Sequence, residues 1–136
     1  MRTWIKQPDG KKQCGQIAVA VVAGITLNES ILLVGKKGCT RTKDLVTALR
    51  KVGYQCPNKC RKMPRPHLAI AQLHHPNRKG WHWVVVDGDK IFDGTNGNDR
   101  GQVVWKNSWR MTSYLPIFDL LTPEQRKRAQ DFQLPK

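Results

Sequence analysis

The stretch from Cys14 to Ile25, "CGQIAVAVVAGI", constrains the chain most. Gln16 is its only strongly polar side chain, and the apolar residues fall on every side of a helical projection. Such a segment predicts a buried helix, not a surface one. A fold must therefore surround it. The chain has 136 residues, enough for one domain with a real core. A mean hydropathy of −0.56 argues against a membrane protein, and the apolar run is too short to span a bilayer. Arg2, Lys6 and the run from Ile17 faintly resemble a signal peptide, but Asp9 interrupts the pattern and no cleavage site follows.

Helix signals come first along the chain. Pro8-Asp9-Gly10 predicts a turn before residues 14–25. Thr26 and Glu29 fit a capping box for a helix ending at Val34, with Gly35 as its stop. Thr42 is placed to cap a third helix over 43–52, whose Leu45, Val46, Leu49 and Val52 share one face; Gly53 follows. Residues 54–66 read as irregular or edge structure.

From Leu68 the character turns to β. "LAIAQLHH" and "WHWVVV" predict strands joined by "PNRKG", and "KIFDG" predicts another. "QVVWKNSW" and "MTSYLPI" read as a last strand pair. Thr122-Pro123-Glu124-Gln125 opens a C-terminal helix in the segment 120–136. Helices followed by strands predict an α+β domain, with the helices packed on an antiparallel sheet.

Cys14 opens the buried helix. There the helix dipole favours a thiolate and lowers its pKa. Gly15 leaves room beside the sulfur. A plain buried cysteine would account for the residue equally well. A nucleophile needs a base and a group to orient that base. "WHWVVVDGDKIFDG" supplies both. A turn at Asp87-Gly88, a favoured type I′ dipeptide, sets His82 directly opposite Asp93. A turn at Gly88-Asp89 makes the pair diagonal. Either register keeps imidazole and carboxylate on one face.

Gln7, Cys14-Gly15-Gln16 opening an apolar helix, "HWVVV" and the hairpin returning to Asp93 together resemble the papain-like cysteine peptidases of the bacteriocin-processing type. These are double-glycine leader peptidases and their stand-alone relatives. The likeness is strongest over residues 5–95. It implies a papain-like fold over 1–136, with Cys14 as nucleophile, His82 as general base and Asp93 as its orienter. It also implies Gln7 as a donor to the oxyanion; Gln13 is the other candidate. The implied activity is hydrolysis of a peptide, isopeptide or side-chain amide bond, with no cofactor and no metal.

Composition adds partners. A net charge of +14 and a pI of about 10.1 attract nucleic acid, anionic surfaces or acidic proteins. An acidic peptide or protein substrate fits this field. The second reading is a non-enzymatic basic binding module on a peptidase-like fold. Trp81, Trp83, Trp105 and Trp109 would then offer stacking surfaces to nucleic acid, although no nucleic-acid motif is present and strand tryptophans at 81 and 83 are expected in the core. Cys56 and Cys60 with His67, joined by Cys39, His74 or His75, would be the ligands of a stabilising zinc. Four cysteines without dense spacing suit a reducing cytoplasm.

Overall fold

The computed structural model describes residues 2–74, 81–105 and 109–118. Three helices precede a four-stranded antiparallel sheet, giving an α+β chain. Helix α1 spans Cys14–Ala23, α2 Leu27–Val34 and α3 Thr42–Lys51. Strands β1 (Leu68–His74), β2 (His82–Asp87), β3 (Lys90–Phe92) and β4 (Arg110–Pro116) lie in the order β3-β2-β1-β4.

The apolar helix is surrounded as its composition demands. Gly15 through Val22 are all buried. Gly24, in the left-handed region at φ 69°, ends α1, two residues before the expected end. The Thr26 hydroxyl accepts from Glu29 N, and the Glu29 carboxylate accepts from Thr26 N, closing the capping box on α2. Helix α3 starts one residue earlier than expected. Thr42 is its first helical residue, not its cap; Asp44 reaches back to accept from Arg41 N at 2.8 Å.

The sheet is covered on both faces. Leu68, Ile70, Trp83, Val85, Phe92 and Leu115 meet α1 and α3 in one core. Ala71, Leu73, Val84 and Val86 face the other way, against Trp105, Trp109, Met111 and Tyr114. Burial on two faces explains why these strands read as nearly continuous apolar runs.

One open choice is decided and one expectation is corrected. The β2–β3 register pairs Val86 with Ile91 and Asp87 with Lys90, so Gly88-Asp89 makes the turn, not Asp87-Gly88. Tertiary contacts decide this: Asp87 is held by Arg2 at 3.3 Å, while Gly88 N donates to His67 O at 2.7 Å. The expected final strand pair is absent among the described residues. Residues 102–105 make only an isolated bridge, Gly97 to Val103, and Arg110–Pro116 pairs with β1. The turn "PNRKG", His75 and the expected C-terminal helix lie outside the described residues. No single described helix is long and apolar enough to cross a membrane.

Candidate active site

Cys14 sits in the first turn of α1, where amides precede the first intrahelical bond, Ile17 N to Gln13 O. Gly15 beside it serves contact rather than open space. A Cβ there would fall on the Thr40 hydroxyl, so Thr40 occupies the room the missing side chain leaves. The loop carrying Thr40 is fastened to α1 by Gln16, whose Nε2 donates to Lys36 O at 3.0 Å and Gly38 O at 2.7 Å.

His82 is the first residue of β2 and lines the same cavity as Cys14, near enough to lower the pKa of the thiol. Its Nε2 meets Asp93 Oδ1 at 2.8 Å. The two residues are diagonal on the sheet, the consequence of the observed turn. Asp93 is fully buried (0% exposed). Its carboxylate is satisfied from several directions: Oδ1 also accepts from Thr95 N at 2.9 Å and Asn96 N at 3.1 Å, while Oδ2 accepts from Asn96 Nδ2 at 3.1 Å and Trp105 Nε1 at 2.9 Å. A buried carboxylate so surrounded is a fixed negative charge behind the imidazole.

The electrostatics follow from this chain of contacts. Burial pushes the Cys14 thiol up. The hydrogen bond and charge of His82, with the backbone amides of Trp83 and Gly15, more than offset it and hold the pKa below the ordinary thiol value. Burial likewise opposes charge on His82, yet Asp93 and Cys14 raise its pKa to about 10. Burial disfavours ionised Asp93, but His82, Trp105 and Asn96 hold it well below the usual carboxylate range. All three shifts favour the charged forms, a thiolate and an imidazolium backed by a carboxylate.

A cavity of about 310 Å³ opens over Cys14 and His82, lined also by Gln7, Lys12, Cys39, Thr40, Trp81 and Trp83. Gln7 N donates to Gly94 O at 2.8 Å, which ties its segment to the end of the hairpin. Gln13, the other candidate donor, is buried, and its Nε2 donates to Lys37 O at 3.2 Å. The structure thus brings Cys14, His82, Asp93 and Gln7 to one place and commits Gln13 elsewhere.

Sequence reasoning missed Trp105, Asn96 and Trp4 as supports of Asp93; Trp4 Nε1 donates to the Asp93 carbonyl at 2.8 Å. Asn96, three residues after an aspartate in a glycine-rich loop, was the available signal. The tryptophans do not form one stacking surface. Trp83 is buried, Trp105 is bonded to Asp93, and Trp109 lies edge-on to His82. Trp81 departs from its expected core position: it is 44% exposed at the cavity wall. Among the described residues no group of three His, Cys, Asp or Glu is placed to hold a metal. Cys56 is buried, Cys39 and His67 are exposed, and all four cysteines are free thiols. Neither family models of known proteins nor curated protein sequences match the chain.

Proposed function

We propose that this chain is a papain-like cysteine hydrolase acting on an amide bond. The observation that carries the reading is the meeting of Cys14 and His82 at one cavity, with His82 bonded at 2.8 Å to the buried Asp93. A helix-start thiol, a strand imidazole and a fully satisfied carboxylate in this order suit nucleophilic catalysis. A structural histidine would need neither the thiol nor the cavity above it.

The chemistry follows from the roles. The Cys14 thiolate attacks the carbonyl carbon. Charge develops on the carbonyl oxygen, and the Cys14 backbone N–H with the Gln7 side-chain amide stabilise it. His82 gives its proton to the leaving nitrogen. It then takes a proton from the water that resolves the acyl-enzyme. Asp93 keeps the ring oriented and stabilises its charged form. Peptide, isopeptide and side-chain amide bonds all suit this sequence of steps, and the resemblance to bacteriocin-processing peptidases agrees with it.

Alkylation tests the reading. Iodoacetamide at neutral pH is expected to modify Cys14 before Cys39, Cys56 or Cys60. Equal labelling of all four, or an unreactive Cys14, overturns it.

The charge of +14 favours one other reading, a basic binding module for nucleic acid or acidic protein. It predicts salt-sensitive binding that Cys14→Ser leaves unchanged, together with no amide hydrolysis by the unmodified protein.

A further inference from the structure

Cys39 lines the same cavity as Cys14, although it comes from the loop between α2 and α3. The Gly15 backbone and the Thr40 side chain approach closely here. The residue after Cys14 and the residue after Cys39 are in direct contact, since a methyl group on Gly15 would fall on Thr40 Oγ1. Side-chain hydrogen bonds fasten the two segments: Gln13 Nε2 to Lys37 O at 3.2 Å, and Gln16 Nε2 to Lys36 O and Gly38 O. The Cys39 residue is exposed. The remaining cysteines are poor rivals. Cys56 is buried and burial pushes its thiol up to about 11; burial also raises Cys60, which lies against Thr42. Neither lines the cavity.

We propose that Cys14 and Cys39 form a dithiol site that reacts with hydrogen peroxide, Cys39 resolving the oxidised Cys14 as a disulfide. The proposal rests on Cys14 being the activated thiolate of the hydrolase described above. In the first step the Cys14 sulfur attacks one peroxide oxygen. The O–O bond breaks, a sulfenic acid forms, and the departing hydroxide takes the proton of the His82 imidazolium and leaves as water. In the second step the Cys39 sulfur attacks the Cys14 sulfur. The S–S bond forms, the S–O bond breaks, and the hydroxide takes up the Cys39 proton as a second water. Two thiols are oxidised and one peroxide is reduced. The bond needs Cα atoms about 4.4–6.8 Å apart, so the loop that carries Cys39 must bring its backbone within that range of Cys14. The disulfide silences the nucleophile reversibly. It also keeps Cys14 from the sulfinic and sulfonic acids, which thiols do not reverse.

The test uses the whole protein. Hydrogen peroxide is added and removed with catalase, free thiols are blocked, and the protein is digested without reductant. A peptide joining Cys14 to Cys39 is expected, and dithiothreitol should restore most iodoacetamide labelling at Cys14. In Cys39→Ser, and in Cys39→Ala as a second variant, Cys14 should instead accumulate sulfinic and sulfonic acids. Recovery by dithiothreitol should fall several-fold relative to each variant's own untreated sample. The absence of the joined peptide, or equal recovery with and without Cys39, overturns the proposal. Amide hydrolysis by the untreated protein is assayed alongside. Hydrolysis without the disulfide removes the dithiol alone; the disulfide without hydrolysis supports the dithiol and removes the hydrolase.

Discussion

The backbone amide of Gln7 donates to the carbonyl of Gly94 across 2.8 Å. One hydrogen bond thus joins the segment carrying the proposed oxyanion donor to the residue after the proposed triad acid. Gly94 is needed for this approach: a Cβ there would lie 3.0 Å from Ile17 Cδ1, 3.1 Å from Ile5 O and 3.3 Å from Gln7 N. Gln7→Ala should cut turnover about a hundredfold while sparing Cys14 alkylation, the usual cost of one oxyanion donor. Gly94→Ala should show the same split, because it pushes the Gln7 segment away without touching the thiol. Turnover and iodoacetamide rates on the same samples measure both. If Gln13→Ala shows this split and Gln7→Ala does not, the donor is misassigned.

The thiolate–imidazolium pair sets the pH dependence of Cys14. In the intact protein its alkylation should turn on as pH rises through a value below that of a free thiol. His82→Ala removes the opposing charge. The midpoint should then move up toward about 8.5, the value of an unassisted thiol, or beyond it where burial is uncompensated. A profile unchanged by His82→Ala would separate His82 from the thiol.

The His82–Asp93 pair also ties stability to pH. His82 has its pKa raised to about 10, so its contribution is complete below the unfolded imidazole value of about 6.5 and is lost as pH climbs through the folded value. Asp93 has its pKa lowered, so its contribution is complete above about 3.9 and is lost as pH falls through the folded value. The Tm gap between the intact protein and Asp93→Asn should be widest between about pH 4 and 6.5. It should narrow toward pH 10 and again in strong acid. A gap that stays constant across this range would show that the pair is not charged in the fold.

Trp105 holds the far oxygen of Asp93 through Nε1 at 2.9 Å. Trp105→Phe keeps an aromatic ring but removes the donor. A hydrogen bond to a charged group is worth about 1.5–3 kcal/mol, so the acid loses part of its anchoring and its pKa rises. Hydrolysis should fall by roughly an order of magnitude or more if the bond acts mainly in the transition state. Its acid limb should shift to higher pH, a change that loss of packing alone would not produce.

Gly15→Ala places a methyl group on the Thr40 hydroxyl. Overpacking of this kind costs about 1–3 kcal/mol, and here it also displaces the first turn that presents Cys14. Chemical denaturation should register the loss. Thr40→Ala in the same chain should return part of it, because it removes the nearest atom and leaves only Thr40 Cβ close.

Much of this was legible because the signals were local. Thr26 and Glu29 announce α2 through their own hydrogen bonds, and the encircling apolar pattern of α1 leaves burial as its only outcome. The shared face of His82 and Asp93 was legible because alternation along strands holds in either candidate register. The register itself was not. Asp87-Gly88 is the better turn dipeptide in isolation, but Arg2 lies far away in sequence and holds Asp87, which pairs with Lys90 in the ladder. Residues 102–105 carry β-forming side chains, yet Trp105 is drawn to the Asp93 carboxylate and the segment wraps the acid instead of joining the sheet. Propensity could not anticipate a buried charge that needed donors.

Helix α1 is enclosed from Gly15 to Val22, and the proposed nucleophile stands at its tip. Its backbone amides can meet solvent only when the surrounding core comes apart. Hydrogen exchange along α1 should therefore report the free energy of global unfolding. The placement of Cys14 is thus inherited from α1, and the cavity above it is only as fixed as the core that holds that helix.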